Sequence, residues 1–537
     1  MTKHLTRGCA LLAATALTLP ALSLPAQART PQNTMVMAWN LDAISNFDPA
    51  QIGEVVTNEL ITNICDSLVS LDMENESEVV PWLAESWEVS DDNMSITFNM
   101  RTDAVHPSGN PVTAHDLVWS MTRVLELGFG NAAMLTSYGF NLENAVESFV
   151  ALDDHTFQLN LSDPYPISII MQAVVSGRVG HVLDSVYLKD KEVDGDWAND
   201  YLTTNTACVG PYHLRQWSAG EVVVLEANDN WWGDGPATPR WIIRHVPEAG
   251  SQRLMLEQGE IDIARSLGAE DIISMQDNPN VVPASTLNHQ IFHMSFQTGR
   301  EPFDNDLVRH AFRYMFDYDA LADTVMAFQG IPRHTVVPYG AFAALDREEG
   351  APFYLDLDKA RELLEEAGIT EGFTASLYIA PGPFAPEVAQ HLQANAAELG
   401  ITINIEQMAS AQLFSALRGR EFDLTLSSWQ TNIAHAHGML ERHATNPDND
   451  FDSQLAMYPS WRKSWYRPDF NERVRAALFE TDEERQLEMY RQLQLDHMEQ
   501  AAGAYLFQQY NNAVLRSNVE DWKWHAFRVF YREAHKN

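Results

Sequence analysis

The stretch Leu83-Ala-Glu-Ser-Trp-Glu-Val-Ser-Asp-Asp-Asn-Met-Ser-Ile-Thr-Phe-Asn-Met100 decides how the rest of the chain is read. Residues 96–100 alternate apolar and polar side chains at period two, as a half-buried strand does. Asp91-Asp92-Asn93 supplies turn residues before it, so the stretch reads as strand, tight turn, strand. A helix start follows at Thr113-Ala-His-Asp116, a capping-type pattern in front of Leu117–Leu127, whose apolar residues recur at helical spacing.

Working outward, the same two signals alternate along the chain. Val36–Trp39, Thr156–Leu161, Ala375–Ile379 and Ile401–Ile405 read as strands, whereas Asp358–Ala367 and Pro386–Leu399 read as helices ended by Gly368 and Gly400. No repeat of 20 to 50 residues and no heptad array interrupts them, which excludes solenoids and propellers. The mixture predicts α/β lobes. A length of 537 residues exceeds what one hydrophobic core fills, so at least two lobes are expected. Pro283–Asn288 has loop chemistry and is taken as the passage between them. The expected organisation is a first lobe over 29–285 with an inserted subdomain at about 76–205, a second lobe over 286–510, and a return of 511–537 to the first. The aromatic tail, with Trp522, Trp524 and Phe527, cannot bury its rings alone.

Charge narrows the partners. Against 74 acidic residues stand 35 basic ones, of which 7 are Lys and 28 Arg, giving a formal charge of −39. Such a field repels polyanions and excludes nucleic acid or an anionic membrane surface as partner. The scarcity of Lys favours a high-salt setting over an ordinary acidic exported protein. The first 28 residues have the three parts of a secretory signal: Lys3 and Arg7, an apolar run from Cys9 to Leu24, and Ala26-Gln27-Ala28 as cleavage site. Pro20 interrupts the run, which is too short to span a bilayer, and Cys9 lacks the setting of a lipidated cysteine. A soluble mature chain in the periplasm follows, without membrane insertion. Cys65 and Cys208 then face an oxidising compartment, and their neighbours read as packed structure, so two buried thiols are expected in preference to a bridge.

Enzyme signatures are missing. There is no Gly-x-Ser-x-Gly elbow, His-Glu-x-x-His helix, Ser-x-x-Lys set or phosphate-cradling Gly-x-x-x-x-Gly-Lys loop. Gly128-Phe-Gly-Asn-Ala-Ala133 loosely fits a dinucleotide pattern but follows a helix where a strand is required, so it is read as a loop. His435, His437 and His443 draw attention as metal ligands. On a helix the first two would diverge by about 200°, and no Cys or carboxylate stands at tight spacing around them, so they are read as loop histidines with at most one touching ligand. No catalysis, metal or cofactor is expected.

Longer segments carry a resemblance. Leu83–Asp92, Ile96–Arg101, Val105-His-Pro-Ser-Gly109 and Val112–Val118 are followed in order by Gly210-Pro-Tyr212 with Asn230-Trp-Trp-Gly233, Gly259-Glu-Ile-Asp262, Asp306–Ala311 with Phe316-Asp-Tyr318, and Asp358–Leu364 with Glu366-Ala-Gly368. Together they resemble the extracytoplasmic solute-binding proteins of ABC importers in the dipeptide/oligopeptide/nickel-binding family, over a span from about Trp39 to the C-terminus. The resemblance implies a two-lobed α/β fold of the type II, large peptide-binding kind, hinged, monomeric, closing around solute and delivering it to an inner-membrane permease with its ATPase. A secreted hydrolase or a receptor-docking sensor are the alternatives.

The resemblance also implies the pocket. In peptide-binding members a Trp followed three residues later by Asp lines it, the carboxylate holding the peptide's amino group. Here Trp429 fits and Asn432 stands at the Asp position, which forfeits a charge-assisted bond. The Arg that dipeptide-binding members place ahead of the 386–399 helix has no counterpart in Ile379-Ala-Pro-Gly-Pro383. The expected ligand-binding residues are Trp429, Asn432 and His435, with Asn40 and Asp42 in the first interlobe loop and Tyr510 and Asn511 at the returning crossover. The absent charges favour a capped or modified peptide, an opine-like or oligosaccharide solute, or a metal chelate over a free dipeptide.

Overall fold

The computed structural model describes residues 30–73, 75–431, 433–500 and 502–537; the proposed leader, 1–28, lies outside them. An 11-stranded sheet forms the spine. In its first half Thr34–Trp39 lies between the parallel strands Arg240–His245 and Ile263–Ala264, with Val222–Ala227 and Tyr212–Ser218 added antiparallel at the edge. In the second half Thr374–Ile379 is parallel to both Thr402–Gln407 and Leu424–Gln430. Two long antiparallel strands, Val281–Phe296 and Gly503–Arg516, belong to both halves and join them.

The passage expected at Pro283–Asn288 is therefore strand rather than loop. Pro283 pairs opposite Val514, and pairing with Leu424–Gln430 begins only at Gln290. Residues 281–287 are thus an edge on one side, where a residue without an N–H is tolerated.

The opening hairpin forms as its alternation dictates. Ala84–Val89 pairs with Ser95–Met100, with Trp87 opposite Phe98, and Thr156–Asn160 and Phe149–Asp153 complete a separate four-stranded sheet. Asn93 takes φ 56° in the turn. Helix Ala114–Leu127 starts at a capping box, the Thr113 N–H donating to Asp116 Oδ2 at 2.8 Å, and stops at Gly128 with φ 61°. Among the described residues no helix is long and apolar enough to cross a membrane.

Cys65 and Cys208, expected as separate thiols, are bonded as a disulfide with Cα atoms 5.1 Å apart. Their segments run side by side: Asp66 N–H donates to Val209 O at 2.6 Å. A Cβ on Gly210 would fall 2.1 Å from Ile64 O, so only glycine permits this approach. Asp66 is buried between the indoles of Trp82, Trp231 and Trp232, whose Nε1–H groups donate to it at 2.8, 2.8 and 3.0 Å. Burial raises its pKa to about 6 although all three bonds oppose the rise. The Asn-Trp-Trp-Gly block is thus a lock on the loop holding the disulfide. The C-terminal aromatics pack into the first half of the molecule, Tyr531 stacking on Trp241 with ring centroids 4.3 Å apart.

Candidate functional site

The site grows from the two shared strands where they exchange partners. Their register shifts between Leu287 and Ile291, freeing Asn288, His289 and Gln290 from regular pairing with Gly503–Arg516. Fully buried Gln508 holds the irregular segment, its Nε2 donating to Asn288 O at 2.9 Å while its Oε1 accepts the Tyr339 N–H at 2.7 Å. Asn288 Nδ2 in turn donates to Asn511 Oδ1 at 3.2 Å. Displaced from the ladder, His289 places Nε2 2.9 Å from the Glu76 carboxylate, which belongs to the early part of the chain. Burial works to raise the Glu76 pKa, but the His289 hydrogen bond and the charges of His289 and His525 prevail and hold it below its usual value.

Trp429 stands opposite Ile291 at the end of the strand Leu424–Gln430. Its half-buried ring stands nearly perpendicular to that of His443, centroids 5.7 Å apart, and the Arg462 guanidinium lies 5.4 Å from its centroid. Just beyond, Ile433 packs into an apolar cluster built mainly by residues 50–182, with Val209, Trp231 and Leu478. The Ala434 N–H donates to Gln172 Oε1 at 2.8 Å, and Gln172 Nε2 donates to Ser77 O at 2.6 Å. The segment carrying Trp429 is therefore where the second half of the sheet meets the early part of the chain, at Gln172 and through it Ser77. Asn432 lies outside the described residues.

The family model for bacterial extracellular solute-binding proteins, family 5 (middle region), matches residues 78–451. The chain belongs to this family. It is 24% identical over 440 residues to the probable D,D-dipeptide-binding periplasmic protein DdpA of Escherichia coli K12, covering 82% of this chain and 81% of the relative. Among solved structures it is similar to the dipeptide binding protein of Pseudoalteromonas sp. SM9913 in complex with Met-Leu, at TM-score 0.80, 20% identity and coverage of 94% and 100%. It is equally similar in fold to MoaA from A. tumefacien R10 in complex with mannopinic acid, at TM-score 0.80, 19% identity and the same coverage. A family 5 solute-binding protein is a two-lobed binding component of an ABC importer and not an enzyme.

Within this solute-binding protein the expected pocket residues separate into groups. Trp429 and Asn511 border the strand exchange, and half-buried Tyr510 lies opposite Leu287 there, its N–H bonded to Gln329 O at 2.8 Å. His435 does not join them. It caps helix Ala436–His443, accepting the His437 N–H on Nδ1 at 3.0 Å, and its ring stacks on Phe342 at 4.7 Å. Burial lowers its pKa to about 3, so it is neutral core. Asn40 and Asp42 make a local turn, Asn40 Oδ1 accepting the Asp42 N–H at 2.9 Å, with Asp42 3.4 Å from His245. His437 and His443 turn to different tyrosines, Tyr490 and Tyr505, at 3.2 and 3.3 Å, so the three histidines do not converge.

Two features were not foreseen. Arg265 lies 4.3 Å from the Trp39 ring centroid and 5.1 Å from that of Trp524, and pairs in two-pronged fashion with Glu59 at 2.5 and 3.0 Å. Its charge is spent within the protein. The Trp522 and Trp524 Nε1–H donors beside it are buried without a partner; the Trp-x-Trp spacing was the available signal. Secondly, His106, Asp116 and Asp184 bring metal-type ligand atoms within 4.8 Å of one another. Their carboxylates already accept from Thr113, Ser185, Ser108, Asn110 and Tyr187, so they serve as helix caps and loop ties.

Proposed function

We propose that this protein works in the periplasm as a monomer, enclosing a small peptide-like solute between its lobes and delivering it to an inner-membrane permease with its ATPase. The observation that carries the reading is the continuity of Trp429, a half-buried aromatic beside the strand exchange, with Ile433 and Ala434, which touch the opposite lobe. Solute held against Trp429 and Asn432 would bear directly on the contact that closes the lobes. Closure excludes water, strengthens the solute's hydrogen bonds and shifts the open–closed population by the differential affinity of the two states.

Chemistry limits the cargo. With Asn432 in place of a carboxylate and no Arg in residues 379–383, neither terminus of a free dipeptide finds its usual charged partner. The reading favours a peptide with a modified terminus or an opine-like solute.

A thermal-shift screen across free dipeptides, N-acylated and D,D-dipeptides, opines and glycans tests this, because ligand that binds only the folded state raises the midpoint. The expected hits are modified peptides or opines. A response confined to free L-dipeptides would overturn the cargo class, and covalent turnover of any hit would overturn the binding role.

A further inference from the structure

In the first half of the molecule three N–H donors without an acceptor gather about one guanidinium. Arg265, whose side chain is 5% exposed, lies 4.3 Å from the ring centroid of Trp39, 5.1 Å from that of Trp524 and 5.7 Å from that of Trp522. The two tail indoles stand perpendicular, centroids 5.3 Å apart. Arg265 Nε, Trp522 Nε1 and Trp524 Nε1 are all buried without a hydrogen-bond partner, although buried polar groups are nearly always paired.

The cluster borders the strand exchange. Thr34–Trp39 and Ile263–Ala264 are parallel, and the Arg265 backbone N–H donates to Ala38 O at 3.1 Å, so Trp39 and Arg265 stand together at the carboxyl ends of their strands. That is the end at which open α/β sheets take ligands. The tail is fastened to the same place: Asn511 Nδ2 donates to His525 O at 3.5 Å, and the Phe527 ring stands perpendicular to that of His289, centroids 4.7 Å apart. Trp39, Trp522 and Trp524 are each only half-buried, so their rings still present surface to a solute.

The chemistry selects a neutral acceptor. Glu59 accepts both Arg265 Nη groups at 2.5 and 3.0 Å and the Tyr531 hydroxyl at 2.6 Å, so the guanidinium charge is offset and an incoming anion meets that carboxylate. An incoming cation meets rings that already face Arg265. A water molecule accepting two of the N–H groups brings two protons of its own, and Glu59 is already committed. A carbonyl oxygen accepts twice and brings no proton.

We propose that Trp39, Arg265, Trp522 and Trp524 form the subsite for the acyl carbonyl at the blocked terminus of the solute. The carbonyl oxygen accepts from Arg265 Nε–H and from a tail indole, while the acyl group packs on the Trp39 ring. The assignment rests on the peptide-like cargo and narrows it to N-acylated members.

The test titrates the full mature chain with N-acetyl-dialanine and N-thioacetyl-dialanine, in L,L and D,D forms; sulfur for oxygen keeps charge and shape but weakens the acceptor. Calorimetry should find the acetyl compound about 3- to 10-fold tighter, a preference lost in Trp524→Phe or Trp522→Phe, which keep a ring and remove the N–H. In wild type the indole N–H resonance that is missing from that variant should move downfield on saturation with the acetyl compound. Equal affinities for the two compounds, or binding that leaves both indole resonances in place, would overturn the subsite alone. No binding of either compound, with stabilisation by another class of cargo, would overturn the peptide-like reading and the subsite with it. Should Trp524→Phe fail to fold, Trp522→Phe and the wild-type preference decide.

Discussion

The side-chain oxygen of Gln172 accepts the backbone N–H of Ala434 at 2.8 Å, tying the early part of the chain to the segment that follows Trp429. Both residues are buried. Replacing Gln172 with Leu removes the acceptor but keeps the volume, and an orphaned buried N–H costs about 1–3 kcal/mol. The lobes should therefore spend more time apart. Small-angle scattering should show a larger radius of gyration for Gln172→Leu than for wild type, alongside a modest loss of midpoint from the severed bond to Ser77 O; identical scattering would remove the Ala434 bond from the closure.

Trp429→Ala should weaken binding of the cargo found in the screen by about 1–3 kcal/mol, roughly 5- to 150-fold in Kd, without unfolding the protein. Calorimetric titration of the folded variant measures it. Unchanged affinity would take Trp429 out of the pocket.

The Cys65–Cys208 bond closes a loop across a sequence separation of 143. Replacing both residues with Ala should lower unfolding free energy by about 2–5 kcal/mol, and reductant should lower the wild type toward the variant. Equal denaturation midpoints for oxidised wild type and variant would show that the bond is dispensable.

Acid should unfold the second lobe early. Burial lowers His293, His435, His437 and His497 to about 3, against an ordinary value of 6.5. Between those values the unfolded chain takes up protons that the folded chain refuses, so stability is full above pH 6.5 and is lost as pH falls toward 3. Guanidinium midpoints at pH 7.5, 6 and 5 should decline in that order. A constant midpoint over this range would mean that these rings are already charged or reach solvent.

Local signals in the sequence carried far. The capping box at Thr113 and Asp116, the turn at Asn93 and the stops at Gly128, Gly368 and Gly400 depend on neighbours within a few residues, and the structure has them. Relationships between distant segments were hidden. Cys65 and Cys208 meet because Gly210 lets two segments touch, and Pro283 sits in a strand because that edge is free on one side. At the site, the Trp429 spacing was legible, but the burial of His435 was not, since Phe342 and Tyr490 cover it from remote parts of the chain.

The stacking of Tyr531 on Trp241, with Trp522 at 6.0 Å from the same indole, sets an order of assembly. A growing polypeptide that has reached residue 500 has made one of the two shared strands, but still lacks Gly503–Arg516, the short strands that follow it and the rings that seal the first half's core. The part synthesised first is thus the part completed last, which keeps a long chain open and threadable until nearly all of it has emerged.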